Sequence, residues 1–213
     1  MEYRDTCRIG EGGFAEVWHC QRTSDGAVLA KKILHPTTRD QVSERFQQEV
    51  RILAKLDHPN IVKVIDSQLA SAPLWYVMPF YRVSLRDELP RVIGDANRTR
   101  KIFGAILDAV EYAHREGVIH RDLKPHNVMM NSDDDVVVTD FGIGRILDAD
   151  GDRFTFTGQG MGSGPYASPE QFTDAKYVDF RSDIYSLGRM LYELHTERLN
   201  SSVQELSRLP PNV

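Results

Sequence analysis

Cysteine is nearly absent from this sequence: Cys7 and Cys20 are the only two in 213 residues. That is too few for a disulfide framework, and they lack the C-x-x-C spacing of a metal knuckle. The reading is two reduced thiols in a cytoplasmic protein. Long hydrophobic runs are also missing. The longest, Leu74 to Met78, has five residues, whereas a membrane-spanning helix needs about 20. Met1 to Asp5 opens no apolar leader, so neither membrane insertion nor secretion is expected. There is no excess of basic residues: 26 Lys plus Arg against 31 Asp plus Glu leave a net charge of −5, and the pI is near 5.8. Such a chain has no bulk field to attract nucleic acid. The histidines form no H-x-x-x-H or H-E-x-x-H pair that would hold zinc, and no G-K-[ST] exists for a P-loop. Repeats and low-complexity tracts are absent as well. What remains, 41% hydrophobic and 27% charged, is ordinary globular composition.

The order of patterns points to a small β-rich part followed by a helical one. Thr6 to Ile9, Glu16 to Cys20 and Val28 to Ile33 read as strands, punctuated by Gly12-Gly13 and Ser24-Asp25-Gly26 as in a meander. From Asp40, Val42, Phe46, Val50, Leu53 and Leu56 recur at helical spacing until His58-Pro59 stops it. Two further β-type runs follow, Ile61 to Ile65 and Leu74 to Met78. Helical spacing resumes over Arg100 to His114, Val136 to Val138 reads as a short buried strand, and Ile184, Leu187, Met190, Leu191 and Leu194 mark a last helix beginning near Asp183. A hinge is expected between Pro79 and Ser84.

Several groups could carry chemistry. Gly10-Glu11-Gly12-Gly13 lies at a strand-turn-strand corner, where bare backbone N–H groups can approach phosphate oxygens; read alone, such glycines are more often a plain hairpin turn. Lys31 and Lys32 share a strand, so only one of them points inward, and an inward ammonium needs an anion such as Glu49 on the following helix. Each alone would default to a solvated charge. His120-Arg121-Asp122-Leu123-Lys124-Pro125-His126-Asn127 packs a carboxylate, cations and an amide into one loop, and Asp140-Phe141-Gly142 brings a second carboxylate 18 positions after Asp122. One carboxylate could accept a hydroxyl proton, while the other and Asn127 offer hard oxygens suited to Mg²⁺.

Taken together and in this order, with Ala30-Lys31-Lys32 on the third strand and Ser168-Pro169-Glu170 and Asp183 downstream, these segments resemble the protein kinase family. The fold it implies is α+β and two-lobed. Residues 1–82 would be a small antiparallel sheet lobe with one helix that covers ATP, and residues 83–213 a mainly helical lobe carrying the catalytic loop and activation segment. By this resemblance Lys32 would hold the α- and β-phosphates of ATP and pair with Glu49, leaving Lys31 to solvent, while Gly10, Gly12 and Gly13 cover the phosphates. Asp122 would accept the substrate hydroxyl proton, Lys124 would neutralise the γ-phosphoryl, and Asn127 and Asp140 would bind Mg²⁺. Met78 corresponds to the gatekeeper. The hinge would then be Pro79-Phe80-Tyr81, with a carbonyl from Pro79 and an N–H from Tyr81 for adenine, which Val17, Ala30 and Met129 would sandwich. His120 and Phe141 match a packing spine with Leu53 and Val64. Lys124 and Ser163 resemble the serine/threonine type, and the Ser-Pro-Glu-Gln ending resembles bacterial members. Arg121 before Asp122 implies a pocket for a phosphorylated activation segment, with Thr155 and Thr157 as candidates.

The pattern departs from the family in two places. Ala15 stands where the third glycine is usual. The chain stops at Val213, where family members continue for several helices, so the C-terminal lobe is expected to be short. Glu170 would then lack the family's buried arginine partner, and either another group substitutes or it is exposed. An apolar patch around Leu187, Leu191 and Leu194 is expected to lie open, to be covered by a partner or by self-association. The expected activity is serine/threonine phosphorylation of proteins from ATP. The alternatives are a kinase-like nucleotide-binding or scaffold protein with little turnover, and a small-molecule phosphotransferase.

Overall fold

In the computed structural model, residues 1–36, 40–141, 164–173 and 178–196 are described. Strands β1 (Tyr3–Glu11), β2 (Ala15–Arg22) and β3 (Val28–Leu34) form an antiparallel meander. Helix α1 (Asp40–Leu53) follows, then strands β4 (Asp66–Gln68) and β5 (Trp75–Pro79). The sheet order is β1-β2-β3-β5-β4, so β5 lies against β3 at the centre and β4 closes the edge. The hairpin punctuation is where the sequence places it. Gly26 turns with φ of 73°, a left-handed conformation that costs glycine nothing.

Below the sheet come β6 (Val83–Ser84), α2 (Leu85–Val92), α3 (Ala96–Arg115), β7 (Val128–Ser132), β8 (Asp135–Val138), a short α4 (Glu170–Thr173) and α5 (Phe180–Thr196). The second sheet is β6-β7-β8. The sequence pattern did not announce β6, α2 or β7. Helix α2 hides behind Pro90, a residue that normally ends a helix; here Ser84 and Asp87 form a capping box that starts the helix five residues earlier, at Leu85. Helix α3 starts at Ala96 because Asp95 caps the N–H groups of Asn97 and Arg98. One apolar core runs through both parts and includes Leu53, Tyr76, Ile106, Leu123, Phe141 and Leu187. No helix among the described residues is long and apolar enough to cross a membrane. Cys7 is exposed, Cys20 is buried, and both are free.

Three sequence expectations are corrected by the fold. Ile61 to Ile65 is not a strand: Ile61 makes a single bridge to Val138, and Val62 N–H donates to the Val138 carbonyl at 3.0 Å. Ile61 and Val62 are buried by joining β8, while at the other end of the run Ile65 N–H donates to the Val77 carbonyl of β5 at 2.8 Å. Lys31 does not simply face solvent. It lies on the sheet face opposite Lys32, pairs with Asp5 at 3.1 Å and stands 5.0 Å over the Trp75 ring. The expected open patch is also displaced. Leu187 and Leu194 are buried and Leu191 is half-buried, while Phe180 and Ile184 are each 53% exposed. Helix α5 begins at Phe180, three residues before Asp183, since Asp179 accepts from Arg181 N–H at 2.9 Å, and its apolar face turns inward onto the shared core.

Candidate active site

Strand alternation decides which lysine enters the cleft. Lys32 sits opposite Val17 on β2 and Tyr76 on β5. Its ammonium donates to Glu49 Oε1 at 3.1 Å and to Asp140 Oδ1 at 2.7 Å. Glu49 comes from α1 and Asp140 from the end of β8, so three elements converge on one cation. Burial would push the lysine pKa down, but the carboxylates of Asp140 and Glu49 outweigh it and hold Lys32 well above its ordinary value. Asp140 is held below the usual carboxylate range because Lys32 overcomes the penalty of burial. Glu49 is pushed up by burial, which Lys32 offsets only in part. Asp140 has a φ of 53°, left-handed for a residue with a side chain, a strain that folds retain mainly at functional positions.

The loop after α3 builds the second half. Lys124 Nζ donates to Asp122 Oδ2 at 2.8 Å. Asn127 Nδ2 donates to the Asp122 carbonyl at 2.8 Å and to Oδ2 at 3.2 Å. The Asn127 amide therefore spends its N–H groups on Asp122, so Oδ1 is its acceptor atom. A turn of 3₁₀ helix over Pro125–Asn127 holds the amide, and Thr139 N–H donates to the Asn127 carbonyl at 2.8 Å. Lys124 and His120 both act electrostatically on Asp140, which joins the two halves into one site. The oxygens of Asn127 and Asp140 are the hard donors Mg²⁺ prefers, and no group of three His, Cys, Asp or Glu that could hold a metal alone occurs among the described residues. The fit is to a cation shared with a phosphate ligand.

The loop from His120 to Asn127 is anchored from beneath by a residue whose role the sequence reading left unassigned. Asp183 is fully buried on α5 and accepts from His120 N–H and Arg121 N–H at 2.8 Å each. His114 Nε2 lies 2.7 Å from its Oδ2. Burial would raise its pKa, yet His114, His120 and the backbone donors hold it below the usual range. Arg121 takes a φ of 65°, and its carbonyl receives Gln171 Nε2 at 2.6 Å. His120 is packing, as the resemblance implies: it is buried, its ring lies 4.7 Å from that of Phe141, which shares the common core with Leu53, and its Nε2 lies 2.9 Å from the Thr139 carbonyl.

At the upper edge, Gly12 N–H donates to the Ala15 carbonyl at 2.8 Å to close the β1-β2 turn. A Cβ on Gly13 would meet nothing within 4 Å, and Gly10, Gly12 and Gly13 all avoid positive φ. The turn itself therefore does not require glycine. At Gly13 what glycine leaves is bare backbone facing open space, the condition for close approach by a ligand. Val17 and Ala30 lie on the Lys32 face of the sheet. Ala30 stands opposite Met78, Pro79 opposite Leu29, and Met129 is half-buried on β7, where it pairs with Ser84. Tyr81 is pushed up to about 12 by burial.

Glu170 has found a substitute partner, as one of the two expectations required. Ser182 Oγ donates to its Oε1 at 2.7 Å, and despite partial burial its pKa falls below the ordinary value. Gly142, Thr155, Thr157 and Ser163 lie outside the described residues. The sequence reading missed Tyr76 at the centre of the site, and His114 and Gln171 beneath it. No motif marks Tyr76 or His114, and the Ser-Pro-Glu-Gln ending that contains Gln171 does not reveal its contact, because their partners are 27, 69 and 50 positions away.

The protein kinase domain family matches residues 3–208. Over 200 residues the chain is 39% identical to a probable serine/threonine-protein kinase of Streptomyces coelicolor, an overlap covering 89% of this chain and 29% of that protein. It is 35% identical over 209 residues to serine/threonine-protein kinase pkn3 of Myxococcus xanthus, covering 92% and 38% respectively. It is 36% identical over 203 residues to the probable serine/threonine-protein kinase PknB of Bifidobacterium longum, covering 89% and 29%. The chain thus spans only 29% to 38% of the length of these relatives.

Proposed function

The chain belongs to the protein kinase family, and on that premise we propose that it transfers the γ-phosphoryl group of ATP to serine or threonine hydroxyls of proteins. The observation that carries this reading is the convergence of Lys32, Glu49 and Asp140 beside an Asp122 carboxylate held by Lys124 and Asn127. The arrangement does what phosphoryl transfer chiefly requires, positioning and neutralisation of charge.

In this reading residues 1–213 form one kinase domain, with residues 1–82 over the nucleotide and 83–213 carrying the catalytic loop. Lys32 holds the α- and β-phosphates and Glu49 holds Lys32. Gly10, Gly12 and Gly13 present backbone N–H groups above the phosphates. Val17, Ala30 and Met129 flank adenine, whose edge meets the Pro79 carbonyl and the Tyr81 N–H. Asp122 orients the acceptor hydroxyl and takes its proton. Lys124 neutralises charge on the transferring group. Asn127 and Asp140 would hold Mg²⁺, which supplies charge neutralisation at the phosphate oxygens. Phosphorylation of Thr155 and Thr157 would order the activation segment against Arg121, by charge-assisted hydrogen bonds. The cytoplasm, which holds ATP and keeps thiols reduced, is the proposed compartment.

The test is transfer of labelled phosphate from ATP with Mg²⁺ to the protein itself and to a generic basic protein. Asp122→Asn and Lys32→Met are each expected to lower the rate by at least about a hundredfold while nucleotide-free folding persists. Absence of transfer by folded wild-type protein would refute the reading.

A further inference from the structure

Tyr76 is fully buried and belongs to none of the motifs that define the site. It stands directly opposite Lys32 in the β3-β5 register. Its hydroxyl donates to Glu49 Oε1 at 3.3 Å, the same oxygen that receives the Lys32 ammonium at 3.1 Å. The phenol ring packs against Phe46 of α1, with centroids 5.7 Å apart, and Lys32 Nζ lies 5.7 Å from the ring centroid. A buried hydroxyl needs a partner, and a purely apolar side chain would fill a central strand without that requirement. The hydroxyl here meets it on the α1 carboxylate that faces the cleft.

We propose that Tyr76 is a positioning residue: its hydroxyl fixes Glu49 against Lys32 and so keeps α1 docked on β5 with the lysine aimed at Asp140. The inference rests on the kinase reading of Lys32 and adds to it a third, non-motif member of the Lys-Glu pair.

The consequence is electrostatic. Glu49 is faced by Lys32 from β3, Tyr76 from β5 and Asp140 from the end of β8, with His120 and Lys124 acting on Asp140 in turn. Burial and Asp140 favour its protonated form, while Lys32 and the Tyr76 hydroxyl favour the carboxylate. With the hydroxyl gone, Glu49 takes up its proton at a higher pH. A protonated Glu49 then leaves Lys32 held by Asp140 alone.

The experiment uses the full chain, its Tyr76→Phe variant, which keeps the ring, and Tyr76→Met, which keeps apolar bulk without a hydroxyl. The ¹³C carboxyl signal of Glu49, assigned by its loss in Glu49→Gln, is titrated in each. Both Tyr76 variants are expected to raise the Glu49 midpoint by roughly 0.4 to 1 pH unit, and an unchanged midpoint overturns the proposal. In kinetics the acid limb of kcat/KM for ATP is expected to move up by the same amount, with kcat/KM lowered about threefold to tenfold. In a Glu49→Gln background Tyr76→Phe should add nothing; fully additive losses would show that Tyr76 acts only through packing. If wild-type protein transfers no phosphate, the kinase reading fails, and the carboxyl titration still decides the role of Tyr76.

Discussion

Lys32 Nζ and Asp140 Oδ1 lie 2.7 Å apart although 108 residues separate them in the chain. One comes from the middle of a strand in the first sheet, the other from the strained position two residues past the end of β8, so this ion pair ties the upper sheet to the segment leaving the lower one. Its geometry suits a point charge. Lys32→Arg preserves the charge but replaces a compact ammonium by a planar fork that cannot occupy the same point between Glu49 and Asp140. The expected outcome is a folded protein with ATP affinity lowered about tenfold or more, measured by calorimetric titration. Retention of wild-type affinity would count against a phosphate-holding role for this lysine.

Asp183 makes stability depend on pH in a definite direction. Its folded pKa is depressed, so its contribution is complete above the unfolded value of about 3.9 and disappears as pH falls through the lower folded value. Asp183→Asn removes that titration and turns an amide N–H₂ toward donors that need an acceptor. Urea unfolding should show a loss of about 3 kcal/mol near neutral pH, with a weaker dependence on acid than wild type.

The Ser182 to Glu170 hydrogen bond gives a separate handle. Ser182 is buried, and Ser182→Ala removes a donor to a carboxylate, which is expected to cost about 1–2 kcal/mol. The Glu170 pKa should rise toward its ordinary value, readable by carboxyl NMR. A Glu170 titration identical to wild type would show that its depressed value has another source.

The displaced apolar surface of α5 can be tested by comparison. Leu187→Ala opens a cavity in the shared core and should destabilise by about 2–5 kcal/mol. Ile184→Ser, three positions away on the same helix but half in water, should change stability by about 0.5 kcal/mol or less. Similar losses from both substitutions would place Ile184 inside a packed interface.

The chemistry-bearing groups were legible because Gly10 to Gly13, Lys32, the run from His120 to Asn127, and Asp140 sit in short segments whose combination and order resemble a known family, although each read alone would pass for a turn or a solvated charge. The strands and helices that carry them were legible where apolar periodicity was undisturbed, as in β3, α1 and α3. Helix α2 was not, since Pro90 imitates a stop and the Ser84 cap that overrules it is a local hydrogen-bonding fact. The strand-like run from Ile61 to Ile65 misled for another reason. Burial accounts equally for a strand and for a segment wedged against β8, and periodicity cannot distinguish them.

By itself, then, the sequence determined which groups are available for chemistry and the order in which the chain presents them, because those depend on residue type and spacing. Only the tertiary structure decided who meets whom. It brought the Tyr76 hydroxyl to Glu49, His114 to Asp183 and Ser182 to Glu170, and it turned Leu187 inward and Ile184 outward. The physical reason is that these contacts join residues far apart in the chain, through burial and hydrogen bonding that have no signature within a local window. A phenol, an imidazole or a leucine looks the same in sequence whether it faces water or completes a site.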